Sequence, residues 1–490
     1  MNYRMISYII GCIWLFEAAF LLVPVITALA FGESAVLSFL WTMLICLGAG
    51  ALLSFKKPKN QTLRARDGFV VVSLSWIAIS LLGALPFMFE GVTASYVDAL
   101  FETVSGFTTT GATIFTDVEC LPNSILMWRS FTHWIGGMGV LVFIMAFVPL
   151  SGGRNMHIMK AESTGPDVGK LVPRVRTTAL LLYGIYLGFT LLQFVLLLFG
   201  GMSVFEALNT AFSTAGTGGF GFKNDSMLSY SPYIQVVVTV FMFLFSINFG
   251  AYYLAFRGKL REALNSEVRA FLLIVFSAIT LITVNIVLNI SSDPNLQAQF
   301  GSAQNLGDII RHVAFSVAAV ISTTGFATVD FALWPAVACT ILVFLMFVGA
   351  CAGSTGGGMK VSRFILVFKG MLRDLRAAIH PKQVKQITVD KKPVGQAVVQ
   401  ATFSYFSCFM AVFAGSMLLL AVDGYDFTTN FTAVAATINN IGPGLSGVGP
   451  TCNYAFFSPL SKIVVMFDML VGRLELFPML ILFMPSTWKK

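Results

Sequence analysis

Charge is scarce in this chain: Asp, Glu, Lys and Arg together make up 11% of its 490 residues, and histidine occurs four times. The seven cysteines (Cys12, Cys46, Cys120, Cys339, Cys351, Cys408, Cys452) are odd in number and scattered, with no CxxC pair and no disulfide framework. No His/Cys/Glu cluster has metal-ligand spacing, and no Ser/His/Asp set or phosphate-binding glycine loop is present. Those absences remove the usual footings of a metalloenzyme, a hydrolase or a nucleotide-dependent enzyme. Apolar bulk takes their place. With 57% hydrophobic residues and a mean hydropathy of +0.82 the chain falls in the membrane class, so counting domains becomes counting spans.

Ten apolar segments are long enough to cross a hydrocarbon core of roughly 30 Å as helices. They are about 6–30, 35–55, 69–89, 125–150, 178–202, 234–256, 270–290, 331–352, 396–422 and 463–485. The first ends in TALA, like a secretory signal, but its apolar run is too long, carries Glu17 and leads straight into a second span, so it is read as retained. The formal net charge of +8 does not point to nucleic acid, because the basic residues are confined to alternate connections. Arg4, the segments 56–66, 154–176, 257–269 and 360–392, and Lys489–Lys490 hold 26 of the 31 Lys and Arg. By the positive-inside rule these face the cytoplasm, with both termini inside. The opposite side has Arg129, Lys223, Arg311 and Lys462 against thirteen acids, among them Asp98, Glu102, Asp117, Glu206, Asp330 and Asp426. An acidic outer mouth concentrates cations.

The outer connections are longer than turns require, and they superpose on one another. DALFETVSGFTTTGATIF begins at Asp98, FEALNTAFSTAGTGGFGF at Phe205, RHVAFSVAAVISTTGFAT at Arg311 and FTAVAATINNIGPGLSG at Phe431. Their alignable glycines are Gly111, Gly219, Gly325 and Gly442, at intervals of 108, 106 and 117. One unit of helix, half-helix, loop and helix is therefore expected four times around an axis along the membrane normal. The first two spans lie outside the pattern as a hairpin. The expected division is a hairpin over 1–66 and repeats over 67–176, 177–265, 266–392 and 393–490.

Each short segment is too short to cross, so the chain must enter part way and return. Non-helical backbone at that depth is tolerated only where it is buried in protein or lines a water-filled cavity. A half-helix entering from outside points its negative dipole end at the membrane centre, and the carbonyls that follow it suit a dehydrated monovalent cation. A single cluster of small residues is more simply a helix-packing surface, and GGMG at 136–139 is read that way. Four such clusters at matching places favour a pore. The fold class expected is an all-α polytopic membrane protein with four re-entrant filter loops.

On FTTTGATIF, ISTTGFATVD, NNIGPGLSGVGP, GACAGSTGGGMK and MLVGRLELFP, the chain resembles the Trk-type potassium uptake proteins of bacteria, within the Trk/Ktr/HKT superfamily. The resemblance runs the whole length. It implies an ion-conducting inner-membrane subunit, a homodimer with one pore per protomer, and a cytosolic nucleotide-binding ring of TrkA/RCK type that controls gating. It implies K+ as the transported ion and no tightly bound organic cofactor, the regulatory nucleotide being on the partner. It also implies filter residues at Thr110 and Gly111, Gly218 and Gly219, Thr324 and Gly325, and Asn440, Ile441 and Gly442. Glycine in all four repeats goes with potassium preference in this superfamily. The second repeat, STAGTGGFGF, offers Gly216, Gly218, Gly219 and Gly221, and its register stays open.

Two further features lie deeper. Five glycines in residues 349–358 cannot propagate a rigid helix. The break is either a packing kink or a flexible intramembrane loop, and the resemblance implies a gating loop there, over Gly353, Ser354, Thr355, Gly356, Gly357 and Gly358. Arg473 stands in the middle of the last span, where a charge must face a cavity or a partner. It is either an ion-pair partner of Asp468 or Glu475, or a charge projecting into the pore, and the resemblance supports the second. His133 beside Trp134 is read as a hydrogen-bonded structural residue. Two rival functions stay open: potassium transport coupled to Na+ or H+, and a membrane enzyme built on His133.

Overall fold

The structure is a computed structural model that describes residues 1–60, 63–139, 175–301, 305–380 and 386–489. The inner part of the expected 125–150 span, most of the basic segment 154–176, and Lys382 and Lys385 lie outside the described residues.

Among the described residues, six helices are long and apolar enough to cross a membrane: Tyr3–Phe31, Val36–Ser54, Arg66–Phe89, Ala179–Phe199, Ser266–Asn289 and Gln396–Asp423. The first and second form a hairpin. They pack closely because a Cβ on Gly11 would stand 2.9 Å from the Gly50 carbonyl oxygen and one on Gly50 would stand 3.0 Å from that of Gly11. Further along the chain after each of the other four comes a short buried helix: Tyr96–Phe107, Val204–Ala215, Leu306–Ile321 (after an intervening Pro294–Phe300) and Phe427–Ile438. These short helices have 12, 12, 16 and 12 residues. At 1.5 Å per residue none crosses the bilayer core. Their starts are set locally. Ser203 accepts from the Glu206 amide while Glu206 reaches back to the Ser203 amide, and Asp426 accepts from Thr429.

The expected full helix after each loop is instead broken. The four are Asn123–Gly137, Pro232–Ser246, Ala336–Val348 and Pro459–Arg473, of 15, 15, 13 and 15 residues. Pro232–Ser246 meets Phe249–Phe256 at a 92° bend. Gly349 stops the third at φ 67°, and Glu475 and Leu476, at φ 59° and 58°, stop the fourth. The physical reason is that the backbone groups freed at these ends are used: the Ser246 and Phe245 carbonyls accept from Cys351 and Thr355 of the next repeat. Among the described residues the one strand pair is a two-residue antiparallel ribbon joining Thr388–Val389 to Lys392–Pro393.

Candidate functional site

Each of the four short buried helices ends in the same turn. The amide of Thr110 donates to Ser105 O, Gly218 to Ser213 O, Thr324 to Ala319 O and Ile441 to Ala436 O, at 2.9, 2.9, 2.9 and 2.8 Å. One residue before each donor the backbone is left-handed, at Thr109, Thr217, Thr323 and Asn440 with φ of 56°, 54°, 60° and 55°. One residue after it stands a left-handed glycine, at Gly111, Gly219, Gly325 and Gly442 with φ of 78°, 77°, 81° and 93°. Side chains on those glycines would be strained by their backbone alone. The repetition settles the open register of the second loop: Gly219 is the equivalent of Gly111, and Gly218 of Thr110.

The four loops also meet in a cycle. A Cβ on Gly111 would lie 1.9 Å from Gly218 O, one on Gly219 1.9 Å from Thr324 O, one on Gly325 2.1 Å from Ile441 O, and one on Gly442 2.7 Å from Thr110 O. Each glycine thus makes room for the carbonyl of the next loop, and the fourth returns to the first. The expected residues are brought together as a ring of backbone with no space for side chains between neighbours. Asn440 enters it differently from Thr110 or Gly218, since its side-chain amide braces the ring by donating to Thr110 Oγ1 at 3.0 Å and Met469 O at 2.8 Å. Thr109, Thr217 and Thr323 hold the matching position, which the sequence alone does not reveal, since a threonine carries no mark of left-handed backbone.

Outside the ring opens a cavity of about 170 Å3 that reaches Gly111, Gly219, Gly325 and Gly442. Its charge is less acidic than the sequence suggests. Glu102 and Arg129 form a buried ion pair at 2.6 Å, and Arg129, which also donates to Gly221 O and lies 4.1 Å from the Phe220 ring centroid, is itself a lining residue of the cavity. Asp98 is likewise paired with Lys462 at 2.7 Å. At the rim, Asn224 donates to Asp117 at 2.8 Å and accepts from the Val118 amide at 2.9 Å, clipping the first outer loop to the second. Hydrogen bonds from the Cys120 thiol, then from Asn224, hold the Asp117 carboxyl below the usual carboxylate range. His133 is fully buried, with one ring nitrogen on Gly106 O at 2.8 Å and the other accepting from the Phe220 amide at 3.3 Å. Both nitrogens are engaged in joining the first two loops, as expected of a structural histidine.

Beneath the ring lies the 349–360 loop. Its glycines serve close approach: a Cβ on Gly356 would stand 2.9 Å from Ser322 O, one on Gly357 2.5 Å from Asn439 O and one on Gly358 2.9 Å from Gly349 Cα. The loop is tied by many bonds. Gly353 O accepts from Phe249, Ser354 Oγ donates to Cys351 O, Thr355 Oγ1 donates to Phe245 O, and the Gly357 amide donates to Thr323 Oγ1 at 2.6 Å. Lys360 Nζ donates to the carbonyls of both Gly356 and Gly357. Arg473 reaches this loop from the fourth repeat, donating to Thr355 O at 2.8 Å, and on its other side donating to Gly136 O and to Gly137 O at 2.7 Å, with its guanidinium 5.9 Å from the Trp76 ring centroid. Its two candidate acids are engaged elsewhere: Asp468 accepts from Ser416 at 2.6 Å, and Glu475 pairs with Arg363.

The TrkH family, described as cation transport protein, matches residues 33–490. The chain is 33% identical to the Trk system potassium uptake protein TrkH of Escherichia coli K12 over the full length of both, and 35% identical to that of Vibrio parahaemolyticus, again over the full length of both. Its fold superposes on the crystal structure of the potassium transporter TrkH from Vibrio parahaemolyticus with a TM-score of 0.88 at 33% identity, covering all of both chains.

Proposed function

The chain belongs to the TrkH family of cation transport proteins, and from that premise we propose that it is the membrane subunit of a Trk-type system, taking up potassium across the inner membrane through a gated, passive pore. The observation that carries this reading is the closed cycle in which Gly111, Gly219, Gly325 and Gly442 each abut the carbonyl of the neighbouring loop. Carbonyls of Thr110, Gly218, Thr324 and Ile441, with those next to them, replace the hydration shell of K+. The negative ends of four pore helices add to the same potential. The units of this pore are the hairpin 1–66 and the repeats 67–176, 177–265, 266–392 and 393–490.

The gate in this reading is the layer below. Residues 353–358 close against the base of the third and fourth loops, and Arg473 bridges them to Gly136 and Gly137 across the path. A guanidinium held by backbone carbonyls at that depth repels an arriving cation and has to move before one passes. The protein works as a homodimer with both termini in the cytoplasm, and a nucleotide-binding ring of TrkA type acts on the gate from that side. Lys391 in the turn of the ribbon and Lys392 in its second strand belong to the basic surface that meets it.

Uptake of K+, Rb+, Na+ and Cs+ into vesicles holding the purified chain tests the conduit. Selective passage of K+ and Rb+ is expected, and equal passage of Na+ would remove the filter assignment. Capture of a soluble nucleotide-binding subunit, lost on neutralising Lys382, Lys385, Lys391 and Lys392 together, tests the partner. Retained capture would leave that basic segment with anionic lipid alone.

A further inference from the structure

The loop below the ring is held at both ends by one atom. Glu267 is buried at the second position of the helix Ser266–Asn289. Its Oε1 accepts from the Ala352 amide at 2.7 Å and from the Ser362 amide at 3.1 Å. The first donor lies four residues past the end of the helix Ala336–Val348, and the second is the second residue of the next helix, Val361–Ile379, so the two bracket the glycines 353–358. The residue before Glu267 faces the other way: Ser266 donates from both its amide, at 2.8 Å, and its hydroxyl, at 2.5 Å, to Asp390 Oδ1. Asp390 sits in the turn of the small ribbon, where it and Lys391 are left-handed at φ 47° and 63°. Arg269 pairs with the same carboxylate oxygen at 3.6 Å, and Lys369 on the helix after the loop donates to Thr388 O of the ribbon at 2.7 Å.

We propose that Ser266 and Glu267 form a coupling point between the cytoplasmic ribbon and the intramembrane loop. Glu267 is the positioning residue that keeps both ends of 352–362 closed together, and Asp390 is the group through which a load on the ribbon reaches it. The proposal rests on the reading of that loop as the gate. Its physical content is the adjacency of the two anchors: they occupy neighbouring residues on the first turn of a long helix, so displacing the ribbon displaces the carboxylate that the loop ends share. A protein seated on the ribbon therefore needs no contact with the pore to loosen the gate. Replacing Glu267 by alanine strands two buried amides in the closed loop, whereas glutamine retains a carbonyl oxygen able to accept from both.

The test is basal K+ efflux, K+/Na+ ratio and thermal midpoint for Glu267→Ala, Glu267→Gln, Asp390→Ala, the Glu267→Ala/Asp390→Ala pair and Arg473→Ala, each purified as full chain and reconstituted in vesicles without any partner. Glu267→Ala should leak roughly thirtyfold faster, the equivalent of two hydrogen bonds or about 2 kcal/mol, with the ion ratio unchanged because the ring is untouched. Glu267→Gln should behave as the parent. Asp390→Ala should leak less than Glu267→Ala, and the pair no more than Glu267→Ala alone, because both act on one element. If Arg473→Ala leaks while Glu267→Ala does not, or loses flux together with its thermal midpoint, the coupling point is overturned and the gate stands. If Glu267→Gln leaks as fast as alanine, or the pair is additive, the shared-acceptor linkage is wrong. If neither Arg473→Ala nor Glu267→Ala leaks, the gate reading fails and takes the coupling with it.

Discussion

Gly219→Ala and Gly221→Ala differ by two positions in one glycine-rich stretch, yet they should have opposite outcomes. At Gly219 the added Cβ would stand 1.9 Å from the Thr324 carbonyl oxygen, on backbone already at φ +77°. Ordinary contact begins near 3.4 Å, so one of the two loops has to retreat by about 1.5 Å, a large fraction of the separation at which carbonyls hold a dehydrated cation. The left-handed backbone costs a non-glycine residue a further 1–2 kcal/mol, roughly. At Gly221 the nearest atom to a new Cβ, Lys223 O, is 3.6 Å away and the backbone is not left-handed, so the methyl group fits. The assay is initial uptake of K+ and Na+ by vesicles at equal protein content. Gly219→Ala should lose most of its K+ preference or its conduction, and Gly221→Ala should match the parent within about a factor of two, as surface-type substitutions do. Equal behaviour of the two variants would refute the register and the role given to the ring.

Arg473→Ala should raise basal K+ flux: a unit charge within about 4 Å of the path raises the barrier by roughly 4 kcal/mol at an effective dielectric near 20, or about a thousandfold in rate. A less stable and less active variant would instead mark the arginine as structural, stranding the carbonyls of Thr355, Gly136 and Gly137. Gly111→Ser, whose Cβ would lie 1.9 Å from Gly218 O, should lower K+/Na+ discrimination while the protein stays monodisperse on a sizing column. Unchanged discrimination would count against the first loop. The Asp117 clip should respond to acid in one direction: because its folded carboxyl titrates below the ordinary value of about 3.9, its stabilisation is present above that value and is lost as pH falls through the depressed one. The thermal midpoint of Asp117→Asn should therefore sit below the parent's at pH 6 and converge with it in strong acid. A gap that widens on acidification would contradict the assignment.

The four matching turns were legible because their glycines survive as letters at nearly equal spacing in the sequence, and so were the truncated helices before them, since length and apolar content fix what spans. The second-loop register was not, because STAGTGGFGF offers several glycines and only backbone dihedrals tell Gly219 from its neighbours. The broken second helices stayed hidden where no glycine run announces them. IQVVVTVFMFLFSINFGAYYLAF reads as one apolar span, and the 92° bend at Ile247 and Asn248 is imposed by the loop that packs into it. Charges were the least legible. Glu102 and Arg129 pair across 27 residues, Arg363 and Glu475 across 112, and such partners have no periodic signature. For the same reason Glu267 reads from sequence as an acid in the first turn of a helix, where the macrodipole alone would explain it.

In the function proposed, potassium moves passively through the ring of Thr110, Gly218, Thr324 and Ile441 carbonyls. The measurement that reaches it most directly is the reversal potential of the current carried by the reconstituted chain under imposed K+, Na+ and pH gradients. Reversal at the potassium equilibrium potential is expected whatever the other two gradients are, with that preference abolished in Gly219→Ala. A reversal potential that follows the Na+ or H+ gradient would establish coupled transport, and an unaltered potential in Gly219→Ala would place the conduction path elsewhere.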